Sequence, residues 1–231
     1  MSWFGRRRAR PRLSPFDLAT TWQAASLLLD YPSEELRDRL PAIKDAVAQL
    51  PPEVAQPLTR LADWLASGDL SDRQTRYVDT FDHTRRCALH LTYYAFGDTR
   101  KRGVALVRFK QAFRTAGLEV TTDELPDHLC VVLEFGALGD REVAWKLLND
   151  HRAGLEVLRL ALAERRSPWL DGVLAVTATL PPLGDDETAA VAKLLAEGPP
   201  GEEVGMDAYA LDPRLNPHPA ADEASVQGAL A

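Results

Sequence analysis

Residues 77 to 135 read YVDTFDHTRRCALHLTYYAFGDTRKRGVALVRFKQAFRTAGLEVTTDELPDHLCVVLEF, and they contain both cysteines and three of the five histidines. Within this stretch, residues 85–96 are apolar almost all round and end at Gly97, which predicts a buried helix. After Thr99, the apolar residues fall in an arc of roughly 120° at 100° per residue, which predicts an amphipathic helix with a basic outer face. The residues of that arc are Ala105, Leu106, Phe109, Ala112, Phe113 and Ala116.

Helical patterns also fill the chain before this stretch. Ser14 and Ser33 stand as N-cap residues before segments in which apolar residues recur every three or four positions. Phe16 and Trp22 fall on the buried stripe predicted for the first of these helices. Pro41 should kink or divide the second, because proline removes a helical hydrogen bond. No segment alternates polar and apolar residues with a period of two.

The C-terminal half continues the helical pattern. One long helix is predicted from about residue 141 to residue 164, with His151 inside its leucine stripe as a core or boundary histidine. We therefore predict an all-α, single-domain bundle of about ten helices over residues 13–197. Residues 1–12 form an arginine-rich basic arm, and residues 198–231 form an acidic tail rich in proline and glycine. Both segments have little to bury, so we expect both to be disordered.

Charge is distributed unevenly along the chain. The formal net charge is -7, which argues against nucleic acid as a partner because phosphate binding needs a basic surface. From residue 85 to residue 114, however, eight basic residues stand against a single acid, Asp98. A helical regulatory protein that contacts nucleic acid through this basic face is therefore one alternative.

The composition favours a cytoplasmic location. Two cysteines suggest neither a disulfide framework nor a four-cysteine zinc site. No run reaches the roughly 18 apolar residues that a membrane span requires. The arginines of the basic arm are not followed by the apolar stretch of an export signal. We expect a soluble protein that does not insert into the membrane.

Four potential ligand side chains follow one another at helical spacing. His83, Cys87, His90 and Tyr94 stand at i, i+4, i+7 and i+11, which places them on one face if the segment is a helix. A metalloprotein built on His83, Cys87 and His90 is therefore a second alternative. We favour the absence of a metal, because three ligands on one helix reach a single ion only with difficulty.

The two cysteines are also candidates for a nucleophile paired with a histidine. Cys87 and Cys130 each lie in an apolar run, and such surroundings raise the pKa of a thiol. We interpret both as buried, inert thiols. The sequence shows no phosphate-binding loop and no serine triad, so we expect no catalytic residues.

A short polar motif follows the basic face. Pro126 predicts a turn, and Asp127 can cap the helix that follows it. Neither role accounts for His128. An imidazole beside carboxylates at a helix start can hydrogen-bond a peptide and respond to pH.

Several of these segments together resemble one known family, the delta subunits of respiratory nitrate reductase. The similar segments are ASLLLDYPSEEL (25–36), YVDTFD (77–82), RRCALHLTYYAFGDTRKRG (85–103), RFKQAFRTAGLEV (108–120) and ELPDHLCVVLEF (124–135). The resemblance covers roughly residues 16–165, and the basic arm and the acidic tail lie outside it.

The resemblance implies an all-helical cytoplasmic chaperone for molybdenum-cofactor assembly. Such a protein binds the catalytic (alpha) subunit of nitrate reductase, including its N-terminal segment, before the cofactor is inserted and the enzyme docks on the membrane. It is not an enzyme and binds no cofactor stably, although it can contact molybdopterin guanine dinucleotide during transfer. We expect a monomer, with a dimer as the alternative.

The wider class of molybdoenzyme maturation chaperones shares a loop motif of an acid, a proline, an aspartate and a histidine. Glu124, Pro126, Asp127 and His128 match this motif. The class usually has a residue between the proline and the aspartate, and this chain has none. The resemblance therefore assigns client binding to Asp127 and His128 more firmly than to Glu124.

Two further sets of residues follow from the chaperone interpretation. An apolar groove that receives a client helix needs large apolar anchors near the motif. The candidate anchors, each of which is equally consistent with the core, are Phe81, Leu91, Tyr94 and Phe135. The candidate contacts to the client or to the cofactor pyrophosphate, for which a solvated face is the alternative, are Arg100, Lys101, Arg102, Arg108 and Arg114.

Overall fold

The computed structural model describes residues 13–118 and 124–200. These residues form eleven α-helices, one 3-10 turn (Arg85–Cys87) and no strand, which confirms the all-α prediction. The helices are α1 (Pro15–Leu28), α2 (Glu34–Val47), α3 (Pro52–Ala66), α4 (Leu70–Phe81), α5 (Leu91–Phe96), α6 (Arg100–Thr115), α7 (Leu129–Leu138), α8 (Arg141–Asp150), α9 (Arg152–Glu164), α10 (Leu170–Ala178) and α11 (Asp185–Glu197). The predictions for the basic arm, and for the tail beyond residue 200, lie outside the described residues.

The first two helices begin at the predicted cap residues. The Ser14 hydroxyl accepts a hydrogen bond from the backbone N–H of Asp17 at 3.1 Å, and Pro15 occupies the first turn of α1. The Ser33 hydroxyl accepts from the backbone N–H of Leu36 at 3.1 Å. The predicted division at Pro41 is wrong, because α2 continues through this exposed proline to Val47.

Helix α1 lies at the centre of the bundle, in contact with α2, α3, α7 and α10. Its Trp22 is fully buried, and α7 approaches this ring closely because residue 136 is glycine. A Cβ atom built on Gly136 would lie 2.5 Å from Trp22 Cε3. The Ser26 hydroxyl donates to the backbone oxygen of Cys130 at 3.0 Å. These contacts fix α7 against the central helix.

A cluster of aromatic rings closes the core beside α4 and α10. The ring centroids of Tyr77 and Phe81 lie 4.7 Å apart, and those of Phe81 and Trp169 lie 5.4 Å apart. Trp64 packs edge-on against Trp169 at 4.9 Å. Such offset and edge-to-face pairs are the arrangements that aromatic quadrupoles favour. Phe81 is thus a core residue.

Two predicted helices are interrupted. Residues 85–96 are not one helix: the chain is extended from Ala88 to His90, and α5 begins only at Leu91. The predicted helix over residues 141–164 is divided at His151, whose Nδ1 lies 2.8 Å from the backbone oxygen of Leu147 and whose ring packs on Phe109. In both places a contact distant in sequence replaces the local helical geometry.

None of the helices in residues 13–118 and 124–200 is long and apolar enough to span a bilayer.

Candidate functional site

The predicted loop motif meets the start of α5 through an isolated antiparallel β-bridge between His90 and His128. The backbone N–H of Leu91 donates to the oxygen of Asp127 at 3.0 Å, and that of Leu129 donates to the oxygen of Leu89 at 2.7 Å. The bridge explains the extended backbone before α5. It joins the beginnings of α5 and α7 into one unit.

Asp127 lies at the centre of this unit and is fully buried. Its Oδ2 accepts hydrogen bonds from the backbone N–H of Thr92 at 3.2 Å and from the Thr92 hydroxyl at 2.5 Å. The expectation that Asp127 caps the helix following it is therefore corrected, since it caps α5 instead. The N-cap of α7 is His128, which makes no side-chain cap hydrogen bond among the described residues.

Two basic side chains complete the surroundings of the Asp127 carboxylate. A terminal nitrogen of Arg102 lies 3.7 Å from Oδ2, and Arg102 Nε donates to the Thr92 hydroxyl at 3.3 Å. His90 Nδ1 lies 3.4 Å from Oδ1, a contact that does not meet hydrogen-bond geometry. Burial raises the pKa of Asp127, but the contacts with His90 and Thr92 and the charge of Arg102 outweigh burial and lower it to about 2. Asp127 is therefore an ionised, structural carboxylate.

His128 is also buried and does not present its ring to a partner. Its ring packs edge-on against the ring of His90, with centroids 5.2 Å apart. Burial, followed by the charge of His90, lowers the pKa of His128 to about 4. Of the other motif residues, Pro126 is buried and Glu124 is exposed. The role of Asp127 and His128 in client binding stays a prediction.

The sequence interpretation missed two partners of Asp127, namely Thr92 and Arg102. Arg102 was placed on the basic outer face, but its side chain is only 16% exposed and points towards Asp127. At 100° per residue, position 102 falls within the same arc as the buried Phe109 and Phe113. The helical spacing therefore contained the signal for Arg102. No local signal identified Thr92.

The four predicted groove anchors are all buried in the core. Tyr94 donates its hydroxyl hydrogen to the backbone oxygens of Arg86 and Ala88, at 3.0 and 2.9 Å. The ring of Phe135 lies 4.3 Å from that of Phe113. In this conformation neither these two residues nor Phe81 and Leu91 offer a surface to a ligand. Their role as anchors stays a prediction that would require them to leave the core.

The basic face of α6 is formed by exposed residues other than Arg102. These residues are Arg100, Lys101, Arg108, Lys110 and Arg114. None of them forms an ion pair with another described residue, although ten other described basic side chains and two histidines do. Val104 and Val107, each 62% exposed, lie between these cations. The contact of these residues with client or cofactor stays a prediction, and their side chains are accessible for it.

The potential metal ligands do not share one helical face. His83 follows the end of α4 and is exposed beside Asp79, whereas Cys87 is buried in the 3-10 turn. In residues 13–118 and 124–200, no three histidine, cysteine or acidic side chains are grouped to hold a metal. Burial raises the pKa of Cys87 to about 11 and that of Cys130 well above its usual value, so both are protonated thiols at neutral pH.

An open apolar groove of about 550 Å³, which the sequence interpretation did not identify, lies between α1, α2 and the end of α7. Phe16 and Leu138 are 74% and 72% exposed at its edge. Gln23 lines the groove. Its side-chain oxygen is buried and has no hydrogen-bond partner among the described residues. The other apolar residues of its walls include Leu27, Ala42, Ile43 and Ala46.

The groove contradicts the prediction that Phe16 belongs to the buried stripe of α1. Trp22 is buried as predicted, but Phe16 lies on another face, together with Gln23 and Leu27. At 100° per residue, these three positions fall within about 40° of one another. Because α1 is apolar on both faces, its spacing alone does not indicate which face meets the core.

Comparison with known proteins gives consistent similarities. Residues 47–175 match the nitrate reductase delta subunit family. The chain is 38% identical over 164 residues to the nitrate reductase-like protein NarX of Mycobacterium tuberculosis. The aligned region covers 71% of this chain but only 25% of NarX. The chain therefore spans about a quarter of the length of that relative.

Two shorter relatives are similar as well. The probable nitrate reductase molybdenum cofactor assembly chaperone NarJ of Bacillus subtilis is 29% identical over 173 residues, covering 74% of this chain and 94% of NarJ. The nitrate reductase molybdenum cofactor assembly chaperone NarJ of Escherichia coli K12 is 33% identical over 147 residues, covering 62% of each chain.

Proposed function

This chain belongs to the nitrate reductase delta subunit family, and we propose that it is an assembly chaperone for the catalytic (alpha) subunit of a respiratory nitrate reductase. It would bind the apo-subunit in the cytoplasm and hold it while the molybdenum cofactor enters, before the enzyme docks on the membrane. Support comes from the Bacillus and Escherichia relatives, whose names describe them as nitrate reductase molybdenum cofactor assembly chaperones. In this proposal the protein binds and releases its client without catalytic turnover.

The observation that carries this proposal is the open groove between α1, α2 and α7. An amphipathic client helix buries its apolar face in such a groove, and about 550 Å³ accommodates on the order of two or three large side chains. We assign the N-terminal segment of the catalytic subunit to this groove.

In this proposal the Asp127 unit acts on the groove through α7. Leu129 and Leu138 mark the two ends of this helix, and its length places the unit and the groove about 15 Å apart. Asp127 and His128 would then set the position of α7 rather than touch the client directly. The same helix is held along its length by Trp22 and Ser26.

The basic face of α6 gives the proposal a second surface. Its cations, which form no ion pair with another described residue, attract anionic groups, either acidic residues on the client or the pyrophosphate of molybdopterin guanine dinucleotide as it is transferred. Such a contact would be transient, and the cofactor would pass into the client. Arg100, Lys101, Arg108 and Arg114 are the residues proposed for it.

Isothermal titration calorimetry tests the groove assignment. A synthetic peptide of the N-terminal segment of the catalytic subunit should bind the purified chain. Phe16→Ser/Leu138→Ser should weaken binding about 30- to 700-fold, because each of the two side chains loses apolar contact worth about 1–2 kcal/mol. The matched control is Val104→Ser/Val107→Ser, which removes two similarly exposed apolar residues from α6.

Two results would contradict these assignments. If the groove variant and the α6 control weaken peptide binding equally, the peptide does not bind in the groove. Failure of the chain to co-purify with the catalytic subunit of nitrate reductase, with both proteins folded, would count against the chaperone function itself.

A further inference from the structure

We propose that the basic arm, residues 1–12 of this chain, occupies the groove between α1, α2 and α7 when no client is bound. The arm would thereby act as an internal competitor of the client segment. The competition rests on the proposed function, whereas the docking of the arm can be tested separately.

The chemistry of the arm matches that expected of a client segment. A targeting-type segment combines aromatic and basic residues, and the arm carries Trp3 and Phe4 followed by five arginines. An apolar groove that takes aromatic side chains from one such segment also takes them from another. Two aromatic rings suit a groove of about 550 Å³.

The position of the groove allows the arm to reach it. The described chain begins at Leu13, and Phe16, in the first turn of α1, already lines the groove. From Phe4 to Leu13 an extended chain spans about 30 Å. Along α1, the wall from Phe16 to Leu27 is only about 17 Å long. The arm can therefore turn back and place Trp3 and Phe4 anywhere along this wall.

Tethering makes even a weak contact effective. Short flexible tethers produce effective concentrations on the order of millimolar, so a millimolar affinity already fills the groove about half of the time. Asp17, which adjoins the wall residue Phe16, adds negative charge near the groove.

Another exposed apolar surface, formed by Val104 and Val107 on α6, is a poor site for the arm. Val104 and Val107 lie among the cations of α6, and those cations repel the arginines of the arm. The groove between α1, α2 and α7 contains one cation in its wall, Arg39, and that cation is paired with Glu35. Charge therefore favours the groove over α6.

The test compares the full chain with a variant lacking residues 2–12, which keeps the Ser14 cap of α1. If the arm fills the groove nine-tenths of the time, its removal strengthens binding of the synthetic client peptide about tenfold. Trp3→Ser/Phe4→Ser should reproduce most of this gain at unchanged chain length. Helix content by circular dichroism confirms that each variant is folded.

A peptide of residues 1–12 added to the arm-deleted chain gives a readout that is independent of the client. The peptide should release heat in calorimetry, and Phe16→Ser/Leu138→Ser should abolish that heat. If the client peptide binds neither chain, the client-segment assignment fails, and this second measurement alone decides whether the arm docks.

Other outcomes would overturn the inference. Equal affinity of the full and arm-deleted chains for the client peptide, together with no heat from the arm peptide, means that the arm stays off the groove. If a second copy covers the groove instead, Phe16→Ser/Leu138→Ser converts a dimer to a monomer in sedimentation, while the arm deletion changes nothing.

Discussion

Asp127, which immediately precedes the start of α7, caps α5 by accepting two hydrogen bonds from Thr92. The cap thus comes from a segment 35 residues away in sequence. A buried carboxylate that binds two segments in this way has more effect on stability than an exposed one.

Asp127→Ala should therefore destabilise the protein. The substitution leaves the buried Thr92 hydroxyl without its acceptor and removes the carboxylate that faces Arg102, which costs about 2–4 kcal/mol in the free energy of unfolding. Urea denaturation followed by circular dichroism measures this loss. The matched control is Asp98→Ala, because Asp98 is an exposed carboxylate 3.3 Å from the same Arg102, and it should cost less than about 1 kcal/mol. Similar losses for the two variants would contradict the structural role of Asp127.

Stability should rise with pH between about 4 and 6.5 because of His128. Its pKa is about 4 in the folded protein against an ordinary value of 6.5, so the unfolded chain binds more protons in this window. The contribution is complete above pH 6.5 and is lost as the pH falls towards 4, a change on the order of 2–3 kcal/mol. His151, whose pKa burial also lowers, acts in the same direction. The stabilisation from Asp127 is fully present above its ordinary pKa of 3.8 and is lost as the pH falls from there towards about 2, so it does not change between pH 4 and 6.5.

Urea midpoints measured from pH 4 to pH 7 test the role of His128. His128→Gln should flatten the rise, whereas His83→Gln, at an exposed position, should leave it unchanged. An unchanged slope in His128→Gln would show that the ring does not titrate as its burial implies.

Two arginines of α6 should behave in opposite ways. Arg102→Ala should lower the free energy of unfolding by about 1–3 kcal/mol, because Arg102 contacts the buried Asp127. Arg108→Ala should change it by less than about 0.5 kcal/mol, since Arg108 is exposed. In a pull-down assay at low salt, reversing the charge at Arg108 should also weaken capture of the catalytic subunit, because Arg108 belongs to the exposed basic face of α6. If Arg102→Ala is as stable as Arg108→Ala, the inward position of Arg102 is wrong.

Gly136→Ala and Gly103→Ala should have effects of opposite sign. At position 136 the new methyl group would lie 2.5 Å from Trp22 and 2.6 Å from Ala144 Cβ, so overpacking should cost about 1–3 kcal/mol. At position 103, within α6, the methyl group meets nothing within 4 Å, and alanine should stabilise the helix by about 0.5–1 kcal/mol. Thermal denaturation compares the two. If Gly136→Ala does not change the thermal stability, α1 and α7 are less closely packed than the structure shows.

Local signals in the sequence predicted most helices and the N-caps of the first two. Ser14 and Ser33 cap α1 and α2 as expected, because an N-cap depends on neighbours three residues away. The extended backbone at residues 88–90 could not be predicted in this way. It depends on pairing with residues 127–129, and a uniformly apolar segment suits a buried helix and a buried bridge equally well.

The candidate site was predicted in part. The motif at Asp127 and His128 does join two segments, but as a buried unit, because the identity of a residue does not show which side chains surround it in the fold. The groove was missed because its walls come from three helices. Phe16 and Leu138 are 122 positions apart in the sequence, and no periodicity relates them.

The bridge between His90 and His128 encloses α5 and α6 in a single closed loop. Closing a loop costs only about 0.6 kcal/mol more for each doubling of its length. Because two backbone hydrogen bonds hold both ends of this loop, a longer loop should leave its two ends in place. The bridge therefore separates the length of this loop from the packing of α1 against α7.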